Sequence, residues 1–138
     1  MNRSCAIGCV LWLCSATAFA HHSFAVFDSD KSITVHGTVV NFQWVNPHCW
    51  LDLDVMTGDG QVEKWGFEGA PPLMLRNQGV SKDSFKVGDK VIVTAHPRKD
   101  GTHAGSLLSV TSATGEPIMA PRPGAAPAPA ASSSGSAP

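Results

Sequence analysis

The stretch His48-Cys49-Trp50-Leu51-Asp52-Leu53-Asp54-Val55-Met56 runs into Thr57-Gly58-Asp59-Gly60 and then Val62-Glu63-Lys64-Trp65-Gly66-Phe67. Side chains of an extended chain alternate between two faces, so Cys49, Leu51, Leu53 and Val55 share one side, with His48, Trp50, Asp52 and Asp54 on the other. That period of two, broken by a Gly-Asp-Gly turn and resumed from Val62, predicts a β-hairpin with one buried and one wetted face. Cys49 points inward with the leucines, and Trp50 is the ring expected near solvent.

Upstream, Ser32 to Trp44 is rich in β-branched residues. Its apolar positions Ile33, Val35 and Val39 change parity to Val40, Phe42 and Trp44. A strand keeps one face per parity, so the change predicts a bulge or strong coiling, placed near Gly37. Downstream, Pro71-Pro72 and Gly79 bracket Leu73 to Gln78, a pattern for one or two helical turns. Val87-Gly88-Asp89 reads as a turn before a strand over Lys90 to His96, and a last strand covers Ser106 to Thr111. Three strands, a short helix and two strands is the order of the five-stranded OB-fold barrel, an all-β class. An open antiparallel sheet with one helix is the alternative.

The first twenty residues read as a cleavable signal peptide: Arg3, an apolar run from Ala6 to Cys14, and the small-x-small site Ala18-Phe19-Ala20. That run is shorter than the ~20 apolar residues needed to span a bilayer, which weighs against a membrane anchor. A lipid-modified Cys14 is disfavoured by the bulky Leu13 before it. Export to the periplasm or beyond is the expectation, with the mature chain starting at His21. Cleavage removes Cys5, Cys9 and Cys14 and leaves Cys49 alone, a residue that most often behaves as a small buried hydrophobe. The organisation expected is therefore a signal over 1–20, a barrel over 21–115 and a disordered Pro/Ala/Ser-rich tail over 116–138, whose composition buries too little to offset its ordering entropy.

Ten Lys and Arg face eleven Asp and Glu, and loss of Arg3 leaves the mature chain more acidic still. There is no basic field for nucleic acid or an anionic membrane surface. Phe42, Trp44, Trp50, Trp65 and Phe67 are many rings for one small domain. OB barrels use such rings as ligand platforms, but all except Trp50 are expected in the core.

Four segments together carry a resemblance: His21-His22-Ser23-Phe24, Gly37-Thr38-Val39, Trp44-Val45-Asn46-Pro47-His48-Cys49-Trp50 and Phe85-Lys86-Val87-Gly88-Asp89-Lys90-Val91. With them the chain resembles an exported bacterial family known as domain of unknown function 6152, over nearly all of the expected barrel and none of the tail. The family's usual pattern has alanine at the position of Cys49, which argues against a general role for this thiol. The resemblance implies export and fold, and carries no reaction with it.

A terminus at His21 would place an α-amine beside two imidazoles, all of which can become neutral nitrogen donors near physiological pH. Nitrogen donors in a near-planar set suit Cu(II). His21, His22 and His48 are the candidate copper ligands, His48 because Asn46-Pro47 interrupts the strand beside it. No structural-zinc spacing is present. The competing reading is of mobile terminal histidines and a turn residue at His48, and His36, His96 and His103 are taken as structural or solvent-facing.

No catalytic constellation is found. Asp52 and Asp54 sit about 6.6 Å apart on one strand face and flank no cleft by themselves. Cys49 and His48 point to opposite faces and form no dyad. The leading expectation is a non-enzymatic OB-like binding module, with ligand or metal near His21, His22, His48 and Trp50. The alternative is an accessory subunit of another exported protein.

Overall fold

A computed structural model describes residues 24–121. After a 3-10 turn at Phe24–Val26 come β1 (Ile33–Gln43), β2 (Trp50–Met56), β3 (Val62–Glu68), α1 (Pro72–Asn77), β4 (Lys90–Pro97), β5 (Ala104–Ser112) and β6 (Pro117–Met119). β1 pairs antiparallel with β2 and β4, β2 with β3, and β4 with β5. A parallel pairing of β3 with β5 closes the circuit through Gly66–Ala104, Phe67–Gly105 and Glu68–Ser106. Five strands closed in this order, with a helix between the third and fourth, make the OB barrel expected from the strand order.

Closure depends on a glycine. A Cβ at Gly105 would lie 2.8 Å from the His96 carbonyl oxygen and 2.9 Å from Ala95 Cβ, so no larger residue lets β5 approach β4 where it also meets β3. The interior is filled by alternate residues: Val39, Leu51, Leu53, Phe67, Val91, Val93 and Val110 are almost completely buried. α1 adds Leu75 to this core, and the following segment adds Val80 and Phe85. Phe85 meets Phe42 edge-on at 4.8 Å, and Trp44 extends the same contact from Phe42 at 5.9 Å.

Two features differ from the strand pattern that the sequence predicts. The parity change in β1 occurs at Val40, where the register with β2 slips between Val39 and Asn41, while Gly37 stays in register with Val91. Val40 is thereby expelled to the outer surface, whereas Phe42 turns in. The sheet also runs past Glu116, where composition placed the start of the tail. β6 lies along β5 with Met119 opposite Val110, and Met119 is buried in the core cluster. Among the described residues no helix is long and apolar enough to cross a membrane.

Candidate ligand-binding face

The outward residues of β2 are Trp50, Asp52 and Asp54. Asp52 lies directly between Asn41 of β1 and Gly66 of β3, which places these three positions on one rung of the sheet. The absence of a side chain at Gly66 leaves bare backbone, and the Trp50 indole lies across it. A Cβ at Gly66 would sit 2.8 Å from Trp50 Cζ2 and 3.0 Å from Nε1. Trp50 Nε1 donates to Asp52 Oδ1 at 2.6 Å, and Asn41 Nδ2 donates to Asp52 Oδ2 at 3.0 Å. The ring is thus held from below by the sheet and at its edge by a carboxylate that is itself held.

Around this ring lies an open groove of about 510 Å³, lined by Val40, Asn41, Trp50, Asp52, Lys64 and His103 among others. Lys64 Nζ donates to Asp54 Oδ1 at 2.5 Å, so the cation on this face is already paired. His103, from the turn between β4 and β5, stacks on Trp65 at 4.8 Å with the planes 8° apart. Glu63 accepts a hydrogen bond from Trp65 Nε1 at 3.1 Å, and His103 Nδ1 lies 3.6 Å from the same carboxylate oxygen. Trp65 also stacks on the buried Phe67 at 5.9 Å, so it joins the core to the groove rim.

The turn that presents His103 is braced. Arg98 donates to Asp100 through Nε and Nη2, and Thr102 donates to Asp100 Oδ1 through its hydroxyl at 2.7 Å and its backbone N–H at 3.1 Å. Hydrogen bonding from Arg98, then from Thr102, holds the Asp100 carboxyl far below the usual carboxylate range.

Trp50 therefore stands on the outer face as the alternation predicts, and Cys49 is fully buried beside it. Burial pushes the Cys49 thiol up from its ordinary value. His48, just before β2, has Nδ1 2.5 Å from Glu68 Oε1. His21 and His22 lie outside the described residues. Among the described residues no three His, Cys, Asp or Glu side chains are grouped so that they could hold a metal ion. His96 Nδ1 lies 2.6 Å from the Lys31 carbonyl oxygen, and His36 lines a second groove on the barrel.

Trp65 packs against the core as expected but is only partly buried, and it also borders the groove. The sequence assigns no role to Asn41 or Gly66 and leaves His103 as a structural or solvent-facing residue. Gly66 carried a usable signal, because a glycine inside a strand marks a close approach of other atoms. The contact of His103 with Trp65 crosses from one strand to a distant turn, and no local pattern announces it.

No curated protein matches the chain. Among solved structures it is similar to the mitochondrial single-stranded DNA binding protein Rim1 from S. cerevisiae, with 14% identity, a TM-score of 0.46, and coverage of 60% of this chain and 94% of that one. It is also similar to a ZRD-deleted mutant of TiaS in complex with agmatine, at 17% identity and a TM-score of 0.40, over 66% of this chain and only 24% of that chain. A family model matches residues 10–107, and the chain belongs to the family of unknown function designated DUF6152.

Proposed function

We propose that this protein is an exported, non-enzymatic OB-like binding module whose ligand lies against Trp50 on the outer face of β1, β2 and β3. The observation that carries this reading is the fixed indole: laid on Gly66, tied through Nε1 to Asp52, and bordered by a groove. A ring already immobilised surrenders little further freedom when a ligand stacks on it, so its contact area converts efficiently into affinity. The strand 2–3 face is also where OB barrels take their ligands. Export to the periplasm or outside the cell rests on the segment 1–20.

Nucleic acid fits this face poorly. Asp52, Asp54 and Glu63 supply negative charge, and Lys64 is committed to Asp54, so there is little to neutralise phosphates. The DNA binding named for Rim1 is a property of that protein.

Thermal unfolding of the mature chain and of W50L, each with organic cations, neutral sugars and aromatic carboxylates, tests the reading. A ligand that binds only the folded state raises the midpoint by mass action. At least one class is expected to raise the midpoint of the wild type and not of W50L. Equal shifts in both proteins, or none from any class, would contradict it.

A copper ion at a His21 terminus is the second reading. Its support is Glu68 beside His48 Nδ1, the carboxylate–imidazole arrangement that orients metal-bound histidines. The remaining donors would be His21, its α-amine and His22. Cu(II) titrated into protein starting at His21 should bind more tightly than into protein with one extra residue in front. Equal affinity would remove the amine from the site.

A further inference from the structure

We propose that the ligand of this face is an organic cation, an alkylated ammonium or a guanidinium, seated on Trp50 with Asp52 as its counter-charge. This rests on the reading of the groove as a ligand site and adds the chemical class.

The first observation is electrostatic. Asp28, Asp54 and Asp100 are each paired with a cation, Lys31, Lys64 and Arg98 respectively. Asp52, which unlike Asp59 borders the groove, accepts only from the neutral donors Asn41 and the Trp50 indole and belongs to no ion pair among the described residues. Its geometry is fixed, and no cation contacts it directly among the described residues. A carboxylate held in this way on a groove wall attracts a positive ligand and repels a negative one.

The second observation concerns the ring. Indole is the best aromatic partner for a cation, with the charge within about 6 Å of the ring centroid. Donation of Nε1–H to a carboxylate pushes electron density into the indole and makes its face more negative. With the Nε1–Cζ2 edge of Trp50 over Gly66, a cation in the groove meets the ring quadrupole and the Asp52 charge together. The bond to Asp52 also commits the indole N–H, so it is not offered to a sugar hydroxyl. A neutral ligand would cover Asp52 without supplying charge, which costs desolvation. Val40, 39% exposed beside the groove, offers apolar contact to alkyl substituents on the cation.

The experiment compares choline and methylguanidine with 3,3-dimethylbutan-1-ol, the uncharged carbon isostere of choline, and with D-glucose. Isothermal titration at constant ionic strength uses the mature chain, D52N and W50L, each checked for its fold by far-UV circular dichroism. At least one cation should bind ten times more tightly than the isostere. D52N should weaken that cation at least five-fold and leave the isostere unchanged, and W50L should abolish binding of both. Choline above methylguanidine assigns an alkylated ammonium, and the reverse order a guanidinium. If the isostere matches choline, if D52N has no effect, or if glucose alone binds in a Trp50-dependent way, the cation is overturned while the face stands as a ligand site. If none of the four binds, the cation assignment fails, and the thermal-shift comparison of wild type with W50L decides separately whether the face is a ligand site.

Discussion

Trp50 Nε1 and Asp52 Oδ1 lie 2.6 Å apart, a hydrogen bond between two residues on the same side of one strand. Alternate residues on a strand are about 6.6 Å apart, so the indole must lean along β2 to reach its acceptor. Gly66 makes that posture possible by leaving the sheet bare beneath the ring. Removing the carboxylate should therefore free the ring. D52A is expected to flatten the near-UV circular dichroism of the tryptophans and to cost about 1–2 kcal/mol in urea unfolding, whereas D52N keeps an acceptor oxygen and most of the signal. An unchanged near-UV spectrum in D52A would show that the sheet alone orients the indole.

Two glycines separate a contact that can yield from one that cannot. At Gly66 an added methyl group meets the edge of an indole, and at Gly105 it meets the His96 backbone oxygen and Ala95 Cβ. G66A should cost about 1 kcal/mol and tilt Trp50 off the sheet, while G105A should cost about 3 kcal/mol because the barrel must open to accept it. Denaturant midpoints of the two variants check the order. A larger loss in G66A would contradict it.

Cys49 is fully buried, and burial raises its thiol pKa, so at neutral pH it is the protonated, unreactive form that faces the core. Labelling by a thiol-specific disulfide reagent should be slow in buffer and accelerate with urea in step with unfolding. Rapid labelling of the folded protein would mean that β2 opens locally.

The depressed pKa of Asp100 gives a pH dependence of definite sign. The folded state holds this carboxylate ionised below the pH at which the unfolded chain protonates it. Its stabilising effect is complete above the unfolded value, near 4, and is lost as pH falls below that toward the folded value. Acid unfolding of wild type and D100N followed in parallel should show a gap that is widest near neutral pH and narrows below about pH 4. The backbone resonance of Thr102 in the folded protein should shift only well below pH 4, where the Asp100 carboxyl that braces the turn finally protonates. A gap that widens on acidification would reverse the sign.

Much of this architecture is legible in the residues themselves. The alternation from His48 to Met56 places Trp50 outside and Cys49 inside, and the strand order points to the closed barrel. What escapes local reading depends on partners distant in sequence. Val40 carries the bulge because β2 sets the register there, and nothing in Val39-Val40-Asn41 alone distinguishes it from Gly37. β6 is only three residues long in a proline-rich context, and it is stabilised by pairing with β5 and by the burial of Met119. Trp65 has the parity of Leu53 and Phe67 and packs against the core with them, but its stacking with His103, from a distant turn, has no local signal. The site is therefore half visible: its platform follows from period two, and its counter-charge and rim follow from tertiary contact.

The most direct measurement follows the indole N–H resonance of Trp50 in a two-dimensional ¹H–¹⁵N spectrum of the chain from His21 onward during titration with choline and methylguanidine. The cation assignment on this face predicts a saturable shift of that resonance by at least one cation, shared with the backbone amides of Asp52, Gly66 and His103. A Trp50 resonance that stays fixed through both titrations, or shifts confined to residues elsewhere on the barrel, would contradict it.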